Sequence, residues 1–167
     1  MDKVKIGGIM ESQGRALLTI RAVPPSPQGV GALLAALGEA GVNLELMAES
    51  RDGDHASHIT LVVDQKDLDR ALSLLEDTRP LLPAQGVSVH REVAVISVFG
   101  PHLREKPRVP GLMFSALAQA GVQPLAVATS ISSLSAVVEA SCCRAALEAL
   151  QAVFDVPFSV RRRPKGY

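Results

Sequence analysis

Few side chains in this sequence are placed to make or break bonds. Cys142 and Cys143 are its only cysteines. Adjacent cysteines rarely bridge, and no second cluster exists to complete a metal site. A small, buried apolar pair at a helix start is the favoured reading over redox work. The four histidines, His55, His58, His90 and His102, are scattered and lack ligand spacing. No set of nucleophile, base and orienting group can be assembled, so neither a catalytic residue nor a cofactor is expected. Gly7-Gly8 runs into Ile9-Met10 rather than Lys and Ser/Thr; it reads as an edge strand with a bulge, not a phosphate loop.

What remains is binding chemistry. Pro27 pre-sets a first helical turn, and the backbone amides of Gln28, Gly29 and Val30 follow it. Such amides are unpaired donors at the positive end of a helix dipole, which suits a carboxylate. Asn43, Glu45 and Glu49 offer oxygens to an ammonium; alternation puts Glu45 and Glu49 on one strand face, with Asn43 just before it. Thr129 and Ser130 could line a second pocket. Each residue also has a plainer reading. Asn43 is an ordinary turn residue, Glu45 and Glu49 are the wet face of a half-buried strand, and Thr129 and Ser130 bond locally. Ser26 caps a helix or a turn rather than touching a ligand.

The elements that would position these groups repeat. Ala16-Leu17-Leu18-Thr19-Ile20 is mirrored by Ala94-Val95-Ile96-Ser97-Val98, about 78 residues on. Ala36-Leu37 with Ala40-Gly41-Val42 recurs as Ala116-Leu117 with Ala120-Gly121-Val122, and Ile59 to Val63 as Leu134 to Val138. Two final helices align through Leu68, Ala71, Leu72, Leu75 and Cys143, Ala146, Leu147, Leu150. Each copy begins with a β-rich run ended by a proline loop. A helix follows, its apolar stripe at Val30, Leu33, Leu34, Leu37 or at Val109, Met113, Phe114, Leu117. Gly41 and Gly121 fall where a helix must reverse in the left-handed region. Strands follow at Leu44 to Ala48 and Ile59 to Val63, and at Leu125 to Ala128 and Leu134 to Val138. Second helices run over Asp67 to Glu76 and Cys142 to Phe154, with closing strands at Val87 to Arg91 and Phe158 to Arg162.

This order, β-α-β-β-α-β, is the ferredoxin-like split βαβ arrangement. The expected fold is α+β: two tandem units, each an antiparallel sheet with its helices on one face. The first unit spans 10–91 and the second 92–167, and the strand-like residues 3–9 add to the second unit's sheet.

Composition limits the function class. With 17 basic and 17 acidic residues, the balanced charge argues against nucleic acid as partner. The basic run Arg161, Arg162, Arg163, Lys165 reads as a solvated tail. No run of about 18 apolar residues spans a membrane, and Met1 to Lys5 lacks the apolar core of a signal peptide. A soluble, cytoplasmic protein is expected.

At this point the residues resemble a known pattern, the two ACT units at the regulatory end of aspartate kinases. The second ACT unit there carries a Gly-x-Gly loop, a Pro-Gly before a helix with Met-Phe, then Thr-Ser-Glu. Here the same stretch is Val98-Phe99-Gly100-Pro101-His102-Leu103, Lys106-Pro107-Arg108-Val109-Pro110, Met113-Phe114 and Ala128-Thr129-Ser130. Pro24 to Gly29 lies where the family has Pro-Asp-x-Pro-Gly, and Gly41-Val42-Asn43-Leu44-Glu45 where it has Ile-Asn-Ile-Asp. The departures are Pro25 for the loop Asp, Gln28 for its Gly, Glu49 for a Gln, Arg108 for the second loop's Gly, Gln123 for an Asn and Ile131 for a Glu.

The resemblance implies a non-catalytic, feedback-regulatory module without the kinase domain. It would bind a small amino acid of the lysine or threonine class at ACT interfaces, through Ser26, Gln28, Gly29, Val30, Asn43, Leu44, Glu45, Glu49, Gln123, Thr129 and Ser130. It further implies a homodimer and a separate aspartate kinase catalytic chain as partner. The alternative is an orphan ACT-type protein with degenerate pockets, serving oligomerisation or protein interaction.

Overall fold

A computed structural model describes residues 2–157 and 160–162. They divide into two compact units: residues 14–92, called the first, and residues 2–13 with 93–157 and 160–162, called the second. In chain order the elements are β1 (Val4–Lys5), β2 (Gly8–Val23), α1 (Pro27–Glu39), β3 (Leu44–Arg51), β4 (Ser57–Asp64), α2 (Leu68–Asp77), β5 (Gly86–Phe99), α3 (Arg108–Gln119), β6 (Ala126–Thr129), β7 (Ser133–Glu139), α4 (Cys143–Val153), β8 (Phe154–Asp155) and β9 (Arg161–Arg162).

In the first unit the strand order is β3-β4-β2-β5, using residues 14–23 of β2 and 86–92 of β5. β4 runs antiparallel to both β2 and β3. Alternation sends Ala16, Leu18 and Ile20 to the same face as Ile59, Leu61 and Val63, where Leu33 and Leu37 of α1 and Leu68, Ala71 and Leu75 of α2 cover them. Each large aliphatic side chain buried there contributes about 1.5–3 kcal/mol. Helix α1 stops because Gly41 turns left-handed at φ 71°, with Val42 N–H returned to the Leu37 carbonyl; only glycine takes that conformation without a Cβ penalty.

The second unit repeats the plan with order β2-β5-β7-β6, using residues 8–13 and 93–99. Ile9, Ile96, Val98, Leu134, Ala136 and Val138 meet Met113 and Leu117 of α3 and Ala146 and Leu150 of α4. Gly121 ends α3 at φ 69° as Gly41 ends α1, and β1 pairs in parallel with β8. The α+β class and the antiparallel sheets with helices on one face are as the pattern of elements predicts.

Some boundaries differ. The strands expected at Val87 to Arg91 and Val95 to Val98 are one strand, β5. The polar run His90-Arg91-Glu92 reads as a break in sequence, yet a strand carries polar residues wherever its faces reach water. Phe114 leaves the expected stripe and is exposed, and Ala116 takes its place beside Met113 and Leu117. Helix α4 ends at Val153, and Phe154, expected in the helix, is fully buried in β8. Of the expected closing strand at Phe158 to Arg162, residues 158 and 159 lie outside the described residues, as do Arg163 and Lys165 of the basic tail. Arg161 and Arg162 form β9 and pair in parallel with Met10 and Glu11 of β2.

Candidate functional site

In the first unit, β2 and β3 are both antiparallel to β4 and so point the same way. The chain leaves β2 at Val23 and enters α1 at Pro27, so the start of α1 and the far end of β3 lie at one end of the sheet. Ser26 caps α1 with an extended backbone (φ −148°, ψ 95°), its Oγ accepting from Gly29 N–H at 3.2 Å and donating to the Leu81 carbonyl at 3.1 Å. At that same end the buried Ser57 donates from its Oγ to Glu49 Oε1 at 2.7 Å. The positive end of the α1 dipole and a fixed carboxylate thus share one end of the unit, as a zwitterion requires.

Only some of the residues singled out from sequence assemble there. Ser26 is the cap. Gly29 spends its amide on Ser26, and Val30, four residues past the cap, is where helical carbonyls begin to take the amides. Gln28, exposed, keeps the amide that Ser26 does not engage. Asn43 and Leu44 open β3 at the opposite end, beside the C-terminus of α1; a helix of 13 residues separates the two ends by about 20 Å. Glu45 does not share a face with Glu49. The β3–β4 register slips between Leu44 and Leu46, and this extra residue inverts the alternation. Glu45 turns instead to Arg15 at 3.4 Å, which also reaches Asp64 at 3.1 Å. The Arg15 side chain is only 4% exposed, so it and its two carboxylates form a largely buried ion network.

In the second unit Thr129 and Ser130 border a cleft of about 140 Å³ together with Leu103, Arg104, Lys106, Pro107, Val109, Pro110, Ser133 and Leu134. Arg104 and Lys106 give it a cationic rim, and Lys106 Nζ also donates to the Lys5 carbonyl at 2.6 Å. Ser130 itself bonds locally: its Oγ accepts from the amides of Ser132 and Ser133 and meets Ser133 Oγ. Gln123 is exposed at the other end of α3. A wider cleft of about 390 Å³ lies along α2 and the start of β5, and none of the predicted residues line it.

Sequence reasoning missed Ser57, hidden in an apolar strand run, and the cations Arg104 and Lys106. It also missed the carboxylate of Glu11. This group is buried and accepts from Gln13 Nε2, Arg162 Nε and Cys143 Sγ. Burial pushes its pKa up, but those hydrogen bonds and the Arg162 charge outweigh it and hold the carboxyl below its ordinary value. Burial first, then the charge and hydrogen bond of Glu11, push the Cys143 thiol up to about 11. Among the described residues no group of three or more His, Cys, Asp or Glu could hold a metal ion, and no helix is long and apolar enough to cross a membrane.

Residues 96–154 match the family model of the ACT domain. Aspartate kinase of Pseudomonas putida is 27% identical over 162 residues, covering 97% of this chain and 39% of the relative. The chain thus spans well under half the length of that relative. Among solved structures, the regulatory subunit of aspartate kinase from Thermus thermophilus in its ligand-free form superposes with a TM-score of 0.81 at 24% identity, over 90% of this chain and 99% of that one. A structure of aspartokinase alpha and beta subunits gives 0.79 at 20% identity, over 89% and 97%. Residues 96–154 thus match the ACT domain, and the chain as a whole resembles aspartate kinases in sequence and the regulatory subunit of aspartate kinase in fold.

Proposed function

We propose that this chain is a regulatory module that binds a small amino acid, of the lysine or threonine class, and passes the binding on to an aspartate kinase catalytic chain. The observation that carries the reading is the shared end of the first unit. There the α1 start, with the Gln28 amide, suits a carboxylate, and Glu49, fixed by Ser57, suits an ammonium. The cationic cleft beside Thr129 is a second place for a small anion-bearing ligand. Regulation follows by linkage, because a ligand that prefers one arrangement of the module shifts the population toward it. A homodimer is part of this proposal; light scattering that gives 17.6 kDa at micromolar concentration would count against it.

A specific observation favours the second reading, an oligomerisation module with closed pockets. Ser26 and the Leu81 carbonyl occupy the α1 entry and consume the Gly29 amide. A thermal-shift screen of the twenty amino acids separates the two. A ligand present at a hundredfold its Kd stabilises by about 2.7 kcal/mol, and Glu49→Gln should then weaken it roughly 10- to 100-fold by removing a charged acceptor. A flat screen supports the second reading.

A further inference from the structure

The β2–β4 ladder loses a register step just before α1. Ile20 pairs with Ile59 and Val23 with Ser57, so Arg21 and Ala22 together oppose His58, as in a bulge. Ala22 carries a φ of 52°, one of three non-glycine residues among those described in the left-handed region. Its amide donates to His58 Nδ1 at 3.4 Å, while His58 Nε2 lies 2.9 Å from Asp52 Oδ2. Asp52 is itself fixed, its Oδ1 accepting from the amides of Asp54 and Ala56. An ionised carboxylate only accepts and an amide only donates, so the ring between them carries its proton on Nε2 and accepts at Nδ1.

We infer that His58 is a positioning residue whose protonation releases the Ala22 bulge and thereby re-sets the entry to α1. Protonation places a second N–H on Nδ1, facing the N–H of Ala22, and two donors cannot share the contact. The ring keeps its bond to Asp52, because an imidazolium binds a carboxylate more strongly than a neutral ring does. Ala22 therefore yields and moves out of a conformation its Cβ disfavours. The next residue, Val23, pairs with Ser57, whose hydroxyl holds Glu49, and Pro24 opens the loop to the Ser26 cap. Both halves of the shared end hang on this bulge.

Among the described residues, few charged groups are placed around His58. On β3 it pairs with uncharged Ser50, whose neighbours Glu49 and Arg51 alternate to the other face. On β2 Arg21 stands opposite, its guanidinium against Gly86, and the turn supplies Asp52. The His58 bond, with the amides of Ala56 and Asp54, outweighs the opposing effect of burial and holds Asp52 below its ordinary value.

The test is an NMR titration of the isotope-labelled full chain from about pH 8 to about pH 5, where imidazoles change charge. At the upper end the His58 ring should report the Nε2–H tautomer. As it protonates, the Ala22 and Val23 amides should shift with the same midpoint. Exchange at Ala22, corrected for intrinsic rate, should rise several-fold, up to about tenfold, for one lost hydrogen bond. His58→Gln, which accepts from Ala22 without titrating, should abolish the co-titration. A silent Ala22 amide, an Nδ1–H tautomer, or a titration that survives in His58→Gln overturns the inference. The consequence for effector affinity rests on the proposed function, but the amide titration needs no ligand and fails or succeeds apart from it.

Discussion

Two glycines of α1 should respond oppositely to alanine. At Gly29 an added Cβ would stand 2.2 Å from the Leu81 carbonyl oxygen, where ordinary contact needs 3.4 Å or more. The obstacle is backbone, so either α1 or the segment around Leu81 must move by more than about 1 Å. Such overpacking costs roughly 1–3 kcal/mol. The movement also strains the Ser26 hydroxyl bond to that same carbonyl, which contributes roughly 0.5–1.5 kcal/mol. Against this, alanine gains up to about 1 kcal/mol of helix propensity. The balance is a loss of about 2 kcal/mol, a melting temperature lower by about 4–8 °C for a chain of this size. At Gly38 an added Cβ meets nothing within 4 Å. There the propensity gain stands alone, and Gly38→Ala should stabilise by about 0.5–1 kcal/mol. Thermal and urea unfolding followed by circular dichroism give both numbers. Gly29→Ala as stable as the parent, or Gly38→Ala less stable than it, would refute the reasoning.

Three further outcomes follow from the buried polar groups. Glu11 is held below its ordinary value of 4.5 in the fold, so it adds stability above its unfolded pKa that disappears as pH falls through the folded one; Glu11→Gln should flatten that part of an acid-unfolding curve. Arg15→Ala leaves Glu45 and Asp64 without their shared cation, and urea titration should register a loss of roughly 3–5 kcal/mol. Cys143, buried with its thiol pushed up to about 11, should resist alkylation at about pH 8 in the native chain. Mass spectrometry after a short pulse should find any label on Cys142, and rapid modification of Cys143 would contradict the assigned burial.

The repeat made most of the architecture legible. Glycines 41 and 121 sit at the two left-handed helix ends, and the stripes through Leu33 and Leu37, or Met113 and Leu117, face the sheets. Register was not legible. Nothing in Leu44-Glu45-Leu46-Met47 distinguishes a regular strand from one with an extra residue, because a bulge is decided by how the partner strand fits. That one residue moved Glu45 from the candidate site to Arg15. For the same reason Arg21-Ala22 gave no sign of a bulge, since alanine has no local preference for positive φ. Asn43 stands where the resembling family has its Asn, yet it lies a helix length from the amides it was to complement. Sequence neighbours along a strand say which residues alternate, not which end of the layer they reach.

Residues 2–13 complete a body whose remainder begins only at Val93. A ribosome therefore releases the opening segment long before its partners exist, while residues 14–92 are contiguous and can close on their own. The tail half must recapture the head across that whole intervening loop, an entropic cost that grows only slowly with its length. Severing the chain after Gln13 would thus injure the distant half more than the adjoining one, and a permuted version starting near Val93, with old termini joined, would turn the interrupted body into an unbroken stretch.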